Sequence, residues 1–216
     1  MKVMQDTPHE TEWQFELTGG RLVMDFVNTQ SGMRGVAPKE HLHAYGDLIA
    51  FARQAGAIDA ARARRLLAEA RRRPADAAAV LDAGRSLREA LFRIFLARSS
   101  GAAPAAADVE LVSAAVGRAF ARRRLERREG GFALEWDPAG DALEAPLWPV
   151  VSSAAEILTS ADALARVRVC GLYDSGECSW LFVDETRSGT RRWCSMQDCG
   201  NKAKARRHYR KARERG

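Results

Sequence analysis

Three observations predict the fold class. Apolar residues recur at helical spacing through most of residues 15–165, only one stretch within them alternates clearly with period two, and all four cysteines lie between Cys170 and Cys199. Together they predict a mainly α N-terminal domain with a small β element over residues 15–165. A small treble-clef-like unit, built from a β-hairpin and a basic helix, is predicted over residues 166–216, and residues 1–14 read as a polar leader. A chain of 216 residues has room for one domain and an appendage. Its 46% hydrophobic and 29% charged residues exclude the disordered and fibrous classes.

The elements follow in order. Residues 15–17 suggest a short strand, stopped by Gly19 and Gly20. Residues 22–29 are compact and apolar, as a buried helix requires, and residues 31–38 read as a loop. Leu42, Tyr45, Leu48, Ile49 and Ala52 share one helical face, with Gly56 as the stop. Asp59 is placed to cap a further helix that ends before Pro74. A long amphipathic helix follows, with Leu81, Leu87, Leu91, Ile94 and Phe95 on one stripe and residues 99–101 as its end. Leu111, Val112, Ala115, Val116, Ala119 and Phe120 mark another, closing in the Arg/Glu run 121–129. Beyond Gly130 and Gly131, the alternation of Phe132, Leu134 and Trp136 predicts a strand and makes a hairpin a candidate. A last helix is expected over residues 150–164, with Ile157 and Leu158 facing inward.

No segment reaches the roughly 18–20 consecutive apolar residues of a membrane helix. The start is polar with no apolar signal region, so a cytoplasmic, nucleoid-associated protein without membrane contact is expected. The formal charge of +6 is unevenly spread: residues 187–216 hold eleven Arg/Lys against two acidic residues, which leaves the remainder slightly negative. Such asymmetry suggests a polyanion-binding end on a near-neutral body.

The cysteines are spaced Cys170-x7-Cys178-x15-Cys194-x4-Cys199. In a reducing compartment, four clustered cysteines are better read as ligands of one structural Zn²⁺ than as disulfides, with a redox role as the remaining alternative. Between the pairs, residues 180–184 alternate like a strand, residues 187–189 make a turn and residues 191–193 return, so a hairpin is expected to join two knuckles. Ser195 is placed to cap a helix whose first turn holds Cys199. A unit this small cannot bury enough surface to fold alone, so the metal is expected to supply its folding energy.

Residues 191–196, Arg-Arg-Trp-Cys-Ser-Met, followed by Cys199-Gly-Asn-Lys202-Ala-Lys204, resemble the signature of the CGNR zinc finger family, predicted bacterial transcription regulators. Residues 19–29 resemble the opening motif of the ABATE domain that precedes this finger, and residues 147–150 and 152–155 are similar to the segment leading into it. The resemblance implies a DNA-binding regulator with a helical body. Lys202 stands where the name-giving arginine is expected, which keeps the charge but loses the planar fork. The loop 171–177 is longer than the usual spacing.

The candidate DNA contacts are Arg191, Arg192, Asn201, Lys202, Lys204, Arg206, Arg207, Arg210 and Lys211, among which Asn201, Lys202 and Arg206 are the candidates for reading bases. The alternatives are a docking module without sequence preference, or RNA binding on Trp180, Phe182, Trp193 and Tyr209; the first three of these aromatics are better placed as the finger's small core. In the body, Asp25, Asn28 and Thr29 share a helical face and either line a ligand pocket for a small-molecule effector or satisfy local backbone. His41 and His43 point apart, and no phosphate loop or nucleophile motif is present, so no enzyme is expected. A homodimer is a candidate assembly, because one short helix reads few base pairs.

Overall fold

The computed structural model describes residues 14–137 and 142–213, without the side chains of residues 210–212. All but the last residue of the expected leader therefore lies outside the described residues. Helix α1 (Leu22–Val27) is so apolar that Val23, Met24, Phe26 and Val27 are all fully buried, and the body is packed around it. Helix α2 (Tyr45–Gln54) starts where the Asp47 carboxylate accepts from the His43 and Ala44 amides at 2.7 and 2.8 Å. Helix α3 (Ala60–Arg72) starts at Asp59, which accepts from the Arg62 amide at 2.7 Å, and it stops ahead of Pro74. Pro74 then opens helix α4 (Pro74–Ser99), the longest element, whose predicted stripe from Leu81 to Phe95 is buried. Helix α5 (Ala106–Phe120) packs on α4, and helix α6 (Leu147–Leu158) packs on both α5 and α1.

Four expectations change. Residues 31–38 are not a loop: strand β1 (Gln30–Met33) pairs antiparallel with β2 (Ala37–Glu40). Neither strand has an apolar face, so periodicity gave no signal for them. The charged run 121–129 is mostly strand β3 (Arg123–Arg128), paired along its length with β4 (Gly131–Trp136). Tertiary partners override helical propensity here: Arg128 pairs with Glu135, Arg124 with Asp137, and the Arg123 guanidinium lies 3.7 Å over the Trp136 ring. The last helix starts earlier, at Leu147, and breaks at Thr159, after which Ser160 caps a separate helix α7 (Ala161–Ala165). Residues 15–17 form no strand; the Phe15 main chain is instead clasped in both directions by the Gln54 side-chain amide.

Among the described charged groups of the body, an arginine is buried deepest. Arg88 is 1% exposed and meets Glu40 with two hydrogen bonds of 2.7 and 2.6 Å, while its Nε donates to Glu89 at 2.9 Å. Arg34 binds the other oxygen of Glu89 and lies 4.1 Å over Phe92. Partial burial of Glu40 opposes ionisation, but the hydrogen bonds from Arg88 and from the Leu42 and His41 amides hold its pKa at about 2, below the ordinary 4.5. A depressed carboxylate stabilises the fold fully above its unfolded pKa and loses that contribution as pH falls through the folded value. The stability gap between wild type and Glu40→Gln is therefore expected to stay constant above pH 4.5 and to shrink towards pH 2. Urea melts across this range test it, and a gap that persists unchanged to pH 2 would contradict it.

Candidate metal centre and nucleic-acid interface

Strand β5 (Val167–Val169) leads directly into Cys170 and pairs antiparallel with β6 (Leu181–Val183). The hairpin of the finger is therefore formed by 167–169 and 181–183, with the first knuckle as its loop. Residues 191–193, expected to return against 180–184, run instead beside the first knuckle, where the Gly171 amide donates to the Arg192 carbonyl at 2.8 Å. Only glycine fits at 171, since a Cβ there would lie 2.6 Å from the Trp193 ring and 2.9 Å from the Arg192 carbonyl oxygen. The long first knuckle is closed by the Tyr173 amide donating to the Cys170 carbonyl and the Gly176 amide to the Tyr173 carbonyl.

The second knuckle is a helix start. Ser195 accepts from the Asp198 amide at 3.2 Å and caps a π-helical turn (Met196–Gly200), which runs into the basic helix α8 (Asn201–Arg213). Cys199 thus sits in the first turn, as the sequence predicts, where amides favour a thiolate.

Cys170, Cys178, Cys194 and Cys199 are all buried, with their four sulfurs within 4.8 Å of one another. The Cys178–Cys194 and Cys194–Cys199 separations are 3.7 and 3.6 Å. Tetrahedral zinc with bonds of about 2.3 Å sets neighbouring sulfurs roughly 3.8 Å apart, whereas a disulfide needs about 2.05 Å. Among themselves the sulfurs can share only part of the negative charge. Hydrogen bonds from Cys178 and Cys194 pull the Cys170 thiol down, and donating to Cys170 pushes Cys178 and Cys194 up. A divalent cation removes that conflict by accepting all four as thiolates, and the four cysteines are the ligand set of one structural zinc ion.

Around this centre Phe182, Leu172, Trp180, Trp193 and Ala203 make a small core, so three of the four candidate stacking aromatics have packing roles. Tyr209 is 70% exposed. Strand β6 serves two cores at once: Phe182 faces the finger, and its neighbours Leu181 and Val183 belong to the body.

Asn28 fixes this junction. Its Nδ2 donates to the Leu181 carbonyl at 2.8 Å and its Oδ1 accepts from the Leu181 amide at 3.0 Å. Thr29 donates to the Phe26 carbonyl and meets Arg88, and the Asp25 carboxylate accepts from the Gly19 amide at 2.7 Å. The candidate pocket along Asp25, Asn28 and Thr29 is thus replaced by internal partners, with Asn28 and Thr29 only 3% and 2% exposed. Burial raises the Asp25 pKa to about 6, against the Gly19 amide and the charge of Arg191.

Arg191 also changes role. Its guanidinium donates to the carbonyls of Trp193, Thr18 and Cys194 and lies 4.3 Å over the Phe182 ring, which makes it a strut between body and second knuckle. Asp184, which the sequence reading did not single out, is 1% exposed and accepts from the Thr186 amide, the Thr186 hydroxyl and the Arg191 amide. An Asp two residues before a Thr, ahead of a glycine turn, was the available signal for this loop closure.

Arg192, Asn201, Lys202, Lys204, Arg206 and Arg207 are exposed. Arg206 forms an ion pair with Glu177 of the first knuckle, and Asn201 Nδ2 donates to the Gln197 carbonyl at 2.8 Å. Arg192, Lys204, Arg206 and Arg207 line an open groove between the first knuckle and α8. Arg210 and Lys211 fall in α8, but their side chains lie outside the described residues.

A helical body carrying a four-cysteine finger and an exposed basic helix defines the class, a zinc-finger protein with a helical N-terminal domain. The family model ABATE, described as "Putative stress-induced transcription regulator", matches residues 20–161, and the CGNR zinc finger model matches residues 166–212. The chain belongs to the ABATE family and carries the CGNR finger. No curated protein matches the sequence. Among the described residues no helix is long and apolar enough to cross a membrane.

Two outcomes follow for the junction and the metal. Purified protein is expected to hold one zinc per chain by elemental analysis, and Cys194→Ala to hold none. Chelation should speed amide exchange in the two knuckles and α8 while the body keeps its cooperative melt; retained protection in the knuckles would refute a structural metal. Asn28→Ala is expected to cost about 2–4 kcal/mol in urea melts, because it strands a buried amide and carbonyl at once, and a loss under about 0.5 kcal/mol would show the clasp to be dispensable.

Proposed function

We propose that the chain is a zinc-dependent DNA-binding transcription regulator in which α8 lies along the phosphate backbone. The single observation that carries this reading is the exposure of Lys202, Lys204, Arg206 and Arg207 on a helix anchored at its first turn by a metal ligand. That helix has a polar surface nearly all round, with Ala203 as its packed contact to the finger. Like charges along it oppose helix formation, and a polyanion at its side relieves the repulsion. Arg192 extends the same surface from the second knuckle, whereas Arg191 does not contribute. The description of the family as a transcription regulator supports the same reading. On this reading the body is a regulatory and dimerisation domain, the protein works at the nucleoid in the cytoplasm, and no catalytic step is involved.

With six to eight phosphate contacts, affinity for duplex DNA falls with log salt at a slope of about −5 to −7. Replacing Arg206 and Arg207 by alanine is expected to weaken binding and flatten this slope by about two units in fluorescence anisotropy titrations. Arg191→Ala is expected to lower stability by roughly 2–4 kcal/mol, through lost charge-assisted hydrogen bonds, and to leave the slope of the folded protein unchanged. Unchanged affinity in the Arg206/Arg207 variant would overturn the proposal. Selection from random duplexes separates a sequence-specific regulator, which returns a motif, from a non-specific docking module, which does not.

A further inference from the structure

The body contains a cavity that the function above does not use. It lies between α4, α5 and α6, has a volume of about 250 Å³, and is walled by Leu87, Leu111, Ala115, Trp148 and Val151. It opens to solvent on the side of Ala83, Ser86 and Leu111, which are exposed. Small residues leave this space: Ala83, Ala115 and Ala119 all line it.

Only three lining residues are polar or charged at their ends, Ser86, Arg118 and Glu144, and all three are exposed. Neither Arg118 nor Glu144 has a hydrogen-bond or ion-pair partner for its side chain among the described residues. An apolar chamber edged by a cation and a carboxylate, each without a partner among the described residues, matches a molecule with an apolar body and both charges. The volume falls below the roughly 300–1,000 Å³ of sites for drug-sized ligands, which limits the occupant to about the size of one amino acid.

We propose that this cavity binds a small apolar amino acid, its side chain against Trp148 and Val151, its carboxylate met by Arg118 and its ammonium by Glu144. Helix α6, which supplies that wall, is tied to α1 by the Ser153 hydroxyl accepting from the Val23 amide at 3.3 Å, and α1 runs into the Asn28 clasp on β6. The site thus adjoins the elements that hold the finger, yet its occupancy does not depend on DNA.

Calorimetric titration of the full chain with L-phenylalanine and L-leucine, each to about 10 mM, tests the proposal. Probes lacking one charge, 3-phenylpropanoate and 2-phenylethylamine, run beside them. Saturable binding of one amino acid is expected, at least about tenfold tighter than either single-charge probe. Arg118→Ala should weaken it about tenfold, and Ala83→Trp, a change at the exposed mouth, should abolish it while the thermal melt stays cooperative. No saturation with either amino acid overturns the proposal. So does equal binding of the single-charge probes, or binding that survives Ala83→Trp. Concentration-dependent self-association that Ala83→Trp removes would instead make the cavity an interface between two copies, and would also overturn it.

Discussion

Four sulfurs within 4.8 Å cannot all carry charge unless a cation sits among them, and the C-terminal quarter of the molecule is arranged around that requirement. The first knuckle must stay tight enough for Cys170 and Cys178 to converge across a seven-residue loop, which is why Gly171 lies against the Trp193 ring. The second must bring Cys199 back to Cys194 within five residues. The Ser195 cap and the wide π-helical turn accomplish this, and a Cβ at Gly200 would collide with Met196. The direction of α8 follows from the metal, because the helix continues the turn that holds the fourth ligand.

The finger is nevertheless not a free module. Three residues of one strand decide this: in β6, Leu181 and Val183 enter the body's core while Phe182 enters the finger's. Period-two alternation places consecutive side chains on opposite faces, so a single short strand can close two cores. The polar ties run the same way. Asn28 saturates the outer edge of β6, the Val183 amide donates to the Gly19 carbonyl, and the Ser179 and Trp180 side chains donate to the Gly32 and Gln30 carbonyls. The four metal ligands lie in the knuckles and at the turn that starts α8, and the body holds the hairpin that carries them. Hence the motif at residues 19–29 and the motif at residues 191–204, far apart in sequence, are two sides of one junction.

What the sequence made legible follows from which interactions are local. Asp59, Ser195, Pro74 and the stripe from Leu81 to Phe95 act through neighbours within a few residues, and each was readable as a cap, a stop or a core face. The four cysteines were readable because chemistry restricts their use. Strands β1, β2 and β3 were not, since their pairing is stabilised by main chain and cross-strand charges that leave no apolar alternation. The partner of residues 180–184 was misread for a related reason: Arg191 and Trp193 alternate around Arg192 as a strand would, but Trp193 packs on the metal core and the Arg191 guanidinium reaches back to Thr18. A contact separated by more than 170 residues leaves no trace in local pattern.

The basic tail shows the same division within one composition. A run of cations invites a single electrostatic reading, yet its members hold different jobs. Arg191 spends its donors on three main-chain carbonyls, so removing it breaks the junction before it changes any surface charge. Arg206 is paired with Glu177, but its side chain is 59% exposed, and an exposed pair of this kind contributes only about 0–1 kcal/mol. A phosphate can therefore replace Glu177 at little cost, since Glu177, at 27% exposure, stays within reach of water. Lys204 and Arg207 have no such tether among the described residues, while Lys202 faces the charge of Glu16. Net charge fixes how strongly a polyanion is drawn to this end of the molecule, and the placement of individual side chains fixes how much of that charge it can use.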